Sequence, residues 1–369
     1  MGLKRTIFVS CVVILTLAAT NSYSAWQGPT EFVSGVWGNG DSNFGIERGD
    51  TSDQLPNLTA VIFDGKTIIS DEVNKREVVY NSDGTLYKVI PWYIVKNGSK
   101  IVNPDYPLYK YWNVQGYTPE GNIWFKIDKY SLKSPSGQLI KTSTTRPLEL
   151  GVVSEKALGN GQYKVTVKYP DKEWSIIGRG VVPKYTRDMN GNLYGSGEKQ
   201  AIRYNSCGKE LARLTMPDDK IETVSQGEQV EPNVTVLEGY GSPVIAPNGD
   251  VYTWKRTPDK YSILKWIWVD DPNVPTGPEP PTNPTLTPSI NGLYLTWKAS
   301  PNDPGCVTKY EIARSTTSGG VFSTIDTVEK GVLKYNDTTA EAGKTYYYKV
   351  RAMAGSDPSA YTAEVSGKR

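Results

Sequence analysis

Residues 70–84 read SDEVNKREVVYNSDG. Polar Asp71, Asn74 and Arg76 lead into three strand formers, Val78, Val79 and Tyr80, and then into the turn residues Asn81, Ser82, Asp83 and Gly84. β-branched and aromatic residues bounded by Gly, Asn, Asp and Ser read as a short strand between turns. Working outward, a turn of two polar residues, Gly, any residue, an aliphatic and an aromatic recurs as PEGNIW (Gly121), MNGNLY (Gly191) and PNGDVY (Gly249), with a looser copy in FDGKTII (Gly65). In three of the four cases a second glycine turn follows 16 to 19 residues later, at Gly84, Gly137 and Gly208. An Asn-Gly or Asp-Gly pair supplies positive φ, and the reading takes the first turn of each unit as a two-residue hairpin. No convincing amphipathic helix interrupts the pattern. A four-stranded meander cannot cover both its faces, so several must stack around an axis. The expected fold is all-β: a β-propeller of about six blades over residues 25–269, at roughly 40 residues per unit. NGQYKVTVKYPDKEWSII (160–177) counts as a weaker fifth copy.

The stretch from Val36 to Gly84 resembles an NHL repeat, a propeller blade. The matching features are the Gly-rich GNGDSNFG, Pro56, the Asp64-Gly65 turn and the Asp71–Asn74–Arg76 triplet before Val78-Val79-Tyr80. The resemblance implies a structural triplet. Its physical role would be a bidentate Asp71–Arg76 pair, with Asn74 closing the turn and one hairpin tied to its neighbour. Only this unit carries the triplet.

Seven prolines between 270 and 288 mark an extended spacer, with the linker itself set at 270–280. Residues 281–369 resemble a fibronectin type III domain. The resemblance rests on LYLTWKAS with Trp297, VTKYEIARS with Tyr310, LKYNDTT with Tyr335, and GKTYYYKVRAMA, where Tyr346, Tyr348, Val350 and Ala352 alternate onto one strand face. Trp297 facing Tyr346 and Tyr348 would fill the core of a seven-stranded sandwich.

At the start of the chain, Lys4 and Arg5 precede an apolar run from Ile7 to Ala19 and then small polar residues, the layout of a secretory signal ending near Ser24/Ala25. The expectation is a bacterial protein exported to the cell surface, the medium or the periplasm, with no transmembrane segment in the mature chain. Removing residues 1–24 leaves 39 basic against 39 acidic residues, without the basic footprint that nucleic acid requires. The chain has no histidine, which excludes Ser-His-Asp triads, Cys-His pairs and His-ligated metals.

Few patterns point to chemistry. Asp188, Asn190 and Asn192 alternate as in a calcium loop, but Leu193 and Lys199 stand where that loop needs Gly and Glu. No metal site or cofactor is expected. The richest stretch is residues 91–117, with Trp92, Tyr93, Tyr106, Tyr109, Tyr111, Trp112 and Tyr117. Exposed rings would suit a sugar- or protein-binding platform; packing between blades is the plainer alternative. Trp254, Trp266 and Trp268 read as core. Cys207 and Cys306 sit in turns on either side of the spacer, and could bridge the two domains or two chains in an oxidising compartment. Nothing in the sequence brings them together, and separate thiols are the preferred reading. The expected function is that of a secreted, non-catalytic interaction or scaffold protein. It would bind an extracellular or envelope protein or glycan in adhesion or surface assembly. The alternative is a secreted propeller hydrolase or lyase acting on a glycan or lactone through carboxylates or an oxygen-bound metal.

Overall fold

The computed structural model describes residues 25–47, 54–111, 113–169, 172–179, 183–197, 199–224, 233–270, 277–303 and 305–369. Residues 1–24, read above as a secretory signal, Trp112 and residues 271–276 of the proline-rich stretch lie outside the described residues. The described chain is almost entirely β. Its first strand, β1 (Ala25–Val36), is followed by a meander of β2 (Asn57–Val61), β3 (Thr67–Asp71), β4 (Arg76–Tyr80) and β5 (Leu86–Pro91). A hairpin, β6 (Tyr93–Lys96) and β7 (Ser99–Val102), and a one-turn helix, α1 (Tyr106–Tyr109), come next. The second meander is β8 (Val114–Tyr117), β9 (Ile123–Lys126), β10 (Tyr130–Lys133) and β11 (Leu139–Ser143).

A three-stranded sheet follows, made of β12 (Val152–Gly159), β13 (Gln162–Tyr169) and β14 (Lys172–Arg179). The third meander is β15 (Lys184–Arg187), β16 (Leu193–Gly197), β17 (Gln200–Tyr204) and β18 (Glu210–Thr215). After β19 (Lys220–Val224) and β20 (Asn233–Tyr240), the last sheet runs through β21 (Val244–Ile245), β22 (Val251–Arg256) and β23 (Lys260–Val269). This sheet has six strands in the order β1-β23-β22-β20-β19 with β21 also on β22, and β1 pairs antiparallel with β23 from Ala25↔Val269 to Val36↔Lys260.

The last strand of each meander is the exposed one. In the first, β3 and β4 are wholly buried while β5 is mostly exposed; in the second, β8 and β10 are buried and β11 lies in water. Inner strands must therefore be covered on both faces, which explains their near-continuous apolar runs. The covering comes from neighbouring sheets. Leu58, Val61, Ile69 and Val78 of the first sheet meet Tyr252, Tyr261 and Ile263 of the closing sheet. The opposite face of the first sheet, with Ala60, Ile68, Val79 and Ile90, meets Val114, Ile123 and Phe125 of the second. Tyr194 and Ala201 of the third sheet meet Ile245, Val251 and Leu264 of the closing sheet. The remaining face of the third sheet is covered by Tyr163, Val165, Val167 and Ile176 of the three-stranded sheet.

Glycines take positive φ at all seven turns marked in the sequence, between +78° at Gly65 and +89° at Gly249. The turn type differs from the expected one. In each case the glycine N–H bonds the carbonyl three residues back, as Gly65 does to Ile62 at 2.8 Å and Gly208 to Asn205 at 3.0 Å. The residue before the glycine keeps negative φ, so these are three-residue loops with a bulging glycine rather than two-residue primed turns. The count of units also differs: in place of about six, the described residues form three four-stranded meanders and one six-stranded sheet that includes β1. Residues 93–109 and 152–179 carry strand-like alternation but serve as a hairpin with a helical turn and as a wedge against the third sheet.

The C-terminal unit packs two sheets together. One is β24 (Thr282–Ser289), β25 (Gly292–Lys298) and β28 (Lys334–Asp337). The other is β27 (Ser323–Glu329), β26 (Lys309–Ser315) and β29 (Thr345–Ala354), with β30 (Asp357–Pro358) and β31 (Val365–Lys368) both on β29. Trp297, Tyr310, Tyr346, Tyr348, Val350 and Ala352 are all buried between them, and Trp297 meets Tyr310 edge-on at 5.6 Å. Burying a side chain the size of Val350 is worth about 1.5–3 kcal/mol. Among the described residues no helix is long and apolar enough to cross a membrane.

Candidate ligand-binding cavity

The innermost strands β2, β8, β15 and β21 all begin at one mouth, and there they enclose an open cavity of about 770 Å³. Asn57 opens β2, Asn113 precedes β8, Lys184 opens β15, and Ser242 and Pro243 precede β21. Ser70 near the end of β3, Glu72 just after it and Trp254 of β22 also line it. At the far end of the same strands, Tyr117 donates its hydroxyl to the carbonyls of both Val61 and Ile245 at 2.9 Å, tying three inner strands together. Met189 N–H joins the third sheet to Pro247 of the closing sheet at 2.9 Å.

Two ionisable side chains face the cavity, Glu72 and Lys184. Neither has an ion-pair partner among the described residues. Lys184 is exposed at the head of β15, whose other three residues are buried. Desolvation by the surrounding protein, with the nearby Arg146 charge adding to it, pushes the ammonium down to about 8. Arg146 is itself engaged, donating to Gln115 Oε1 at 3.1 Å and to the Tyr185 carbonyl at 3.4 Å. Trp254 is half-buried and stacks on Tyr261 at 6.1 Å with 27° between the rings, which fixes its orientation.

The aromatic stretch does not form one platform. Tyr111 is 1% exposed and Tyr117 4%, so both are corrected from ligand-facing to core: Tyr111 packs edge-on to Phe125, and Tyr117 holds the inner strands. Trp92 turns inward, donating Nε1 to Glu77 Oε1 at 3.2 Å and lying 5.5 Å from the Tyr106 ring. Tyr106 and Tyr109 are partly covered, and Tyr93 is exposed beneath the Lys100 ammonium. Glu77 is 1% exposed; its Oε1 also accepts from Ser70 at 3.1 Å, while Oε2 has no partner. Burial is the largest cause raising this carboxyl to about 8. Of the set read as core, Trp266 is buried, Trp268 packs under the Arg203 guanidinium at 4.0 Å, and Trp254 lines the cavity instead.

Asp71, Asn74 and Arg76 form one network. Arg76 Nε meets Asp71 Oδ2 at 3.0 Å through a single contact rather than the bidentate one expected. The other Arg76 nitrogens reach the carbonyls of Asn39, Gly40 and Asn43. Asn74 Nδ2 donates to Asp71 Oδ2 and to the Gly38 carbonyl, and Gly45 N–H meets both Asp71 oxygens. The triplet thus fastens the loop after β1 onto the turn between β3 and β4, linking the closing sheet to the first. Asp188 is likewise internal, accepting from Asn192 and Tyr194 at its own turn.

Cys207 and Cys306 form a disulfide, with Cα atoms 5.3 Å apart. The reading as separate thiols is corrected: the second turn of the third sheet lies against the C-terminal unit. Asn205 Nδ2 donates to the Gly277 carbonyl at 2.8 Å, and Lys209 pairs with Glu279 at 3.3 Å beside it. Lys184, Glu72 and Asn57 escaped the sequence reading because single polar residues carry no pattern. Their shared position, at the starts of the repeated inner strands, was the available signal.

No protein-family model matches the chain. An amylopullulanase of Thermoanaerobacter thermohydrosulfuricus is 40% identical over 77 residues, which is 20% of this chain and 5% of that protein. A fibronectin-type-III-like protein of Clostridium thermocellum is 33% identical over 24% of this chain and 91% of its own, with a TM-score of 0.22. A pectate lyase from Erwinia chrysanthemi, solved with tetragalacturonic acid, is 21% identical over 23% of this chain and 27% of its own, with a TM-score of 0.21.

Proposed function

We propose that the chain is a secreted, non-catalytic binding protein. In this reading residues 25–269 are a four-bladed propeller closed by β1, residues 281–369 are a fibronectin type III-like sandwich, and the ligand is a glycan or protein of the cell surface or extracellular matrix. The observation that carries it is the cavity where the four inner strands begin. Amide and hydroxyl groups line it, with one indole and a single carboxylate, Glu72. Concave sites with a few convergent polar groups are where ligands bind. Glycoside cleavage by paired acids requires two carboxyl groups some 5–9.5 Å apart, and Glu72 has no such partner in the lining.

The test is a panel of glycans and envelope proteins probed with the mature protein and with Asn57→Trp, which fills the mouth from an exposed position. Specific binding that the variant loses, with its circular dichroism unchanged, supports the reading. Equal binding by the variant removes the cavity from it, and turnover of a captured ligand removes the non-catalytic assignment.

A further inference from the structure

We infer that the Cys207–Cys306 disulfide is a redox-sensitive clasp. A dithiol reductant opens it at Cys207, and the C-terminal unit then swings away from the third sheet with both units still folded.

The bridge joins two bodies that share no apolar core. Among the described residues every hydrophobic cluster lies within one body: that around Trp297 and Tyr348 in the C-terminal unit, the others among the N-terminal sheets. Beside the sulfurs stand the Asn205–Gly277 hydrogen bond at 2.8 Å and the Lys209–Glu279 pair at 3.3 Å. That pair is exposed, and exposed pairs contribute little. Glu279 travels with the C-terminal unit, since its N–H donates to Asn302 Oδ1 at 2.7 Å and its carbonyl accepts from Ser300 Oγ at 2.6 Å. Units joined without a large apolar interface move relative to one another by default, so the covalent bond is what fixes their orientation.

The two sulfurs differ in access. Cys306 is 2% exposed, whereas Cys207 is half-buried in the turn closed by Gly208 N–H on the Asn205 carbonyl. Access decides which sulfur a thiolate attacks. The reductant's thiolate attacks Cys207 Sγ, the S–S bond breaks, and Cys306 leaves as a thiolate that takes a proton from water. The reductant's second thiol, having lost its proton, attacks the mixed disulfide, and Cys207 leaves as a thiolate and is protonated in turn. Two electrons pass to the bridge, which ends as two thiols, while the dithiol ends as a disulfide.

Two measurements on the mature protein test this. Brief exposure to glutathione, a monothiol, followed by acid quenching, alkylation and peptide mapping, should find glutathione on Cys207 and the alkyl group on Cys306. Solution X-ray scattering before and after dithiothreitol should show the radius of gyration and maximum dimension rising, with the circular dichroism unchanged. The double variant Cys207→Ser, Cys306→Ser should show the enlarged values without reductant and no response to it. Glutathione found on Cys306, resistance of the bridge to reduction short of denaturant, unchanged scattering after complete reduction, or loss of the folded spectrum on reduction would each overturn the inference.

Discussion

Glu77 sits on β4, buried, with its Oε1 held by Ser70 and Trp92 and its Oε2 facing no donor. Ionising it would strand a charge away from water, so the folded chain keeps it protonated up to about 8, against an ordinary value of 4.5. That displacement is equivalent to roughly 4–5 kcal/mol of preference for the neutral form. The unfolded chain ionises this group above its ordinary value and the folded chain does not. The associated stability is therefore complete below pH 4.5, declines as the pH rises, and is gone once it passes 8. Glu77→Gln, which has the shape of the neutral acid, removes the dependence.

Urea unfolding of both proteins, followed by tryptophan fluorescence at pH 5, 6.5 and 8, measures it. Between pH 5 and 8 the unmodified protein should lose roughly 3–4 kcal/mol relative to the variant. Lys133 and Lys184, both lowered to about 8, are charged in folded and unfolded chains over most of this window. The buried Asp188, also raised, is common to both proteins and cancels. Parallel pH profiles for the two proteins would refute the reasoning.

Three further outcomes follow from described contacts. Arg76→Ala leaves the Asp71 carboxylate buried and frees the loop at 38–45, so thermal denaturation should show a loss of about 3–5 kcal/mol, with new protease cleavage in that loop; an unchanged melting temperature contradicts the network's role. Cys306→Ser opens a bridge spanning 99 residues, worth about 4–5 kcal/mol on the chain-entropy account. Non-reducing peptide mapping should recover the Cys207–Cys306 pair, and two free thiols would rule it out. Gly84→Ala places a methyl 2.5 Å from the Phe32 carbonyl at φ +85°, whereas Gly98→Ala, at φ +76°, meets nothing within 4 Å. The second should cost about 1–2 kcal/mol from backbone conformation alone and the first clearly more; equal melting temperatures would refute the close approach.

Much of the fold was legible because its punctuation is local. A bulging glycine is needed wherever a strand reverses in this way, so Gly65, Gly121, Gly191 and Gly249 declared themselves. The number of sheets was not legible, because Tyr163, Val165 and Val167 alternate in the same period as a meander strand. Only packing reveals that they form a wedge. Trp297, Tyr346 and Tyr348 could be placed because alternation along one strand fixes a face. Tyr111 and Tyr117 could not, since a tyrosine has an apolar body for a core and a hydroxyl for a surface, and residue type does not choose between them. The disulfide joins turns almost a hundred residues apart, and no local signal spans that distance.

The pairing of β1 with β23 has a consequence for how the chain comes into being. Strand β1 has its partner more than two hundred residues downstream, so it must wait, unpaired, until nearly the whole N-terminal region has been made. Until then, β23's future edge does not exist and the loop gripped by Arg76 has no closed sheet behind it. Assembly of this half of the molecule is therefore a late, concerted event. A ribosome stalled anywhere before residue 260 would carry a strand in search of a neighbour, the condition under which foreign edges are most readily accepted.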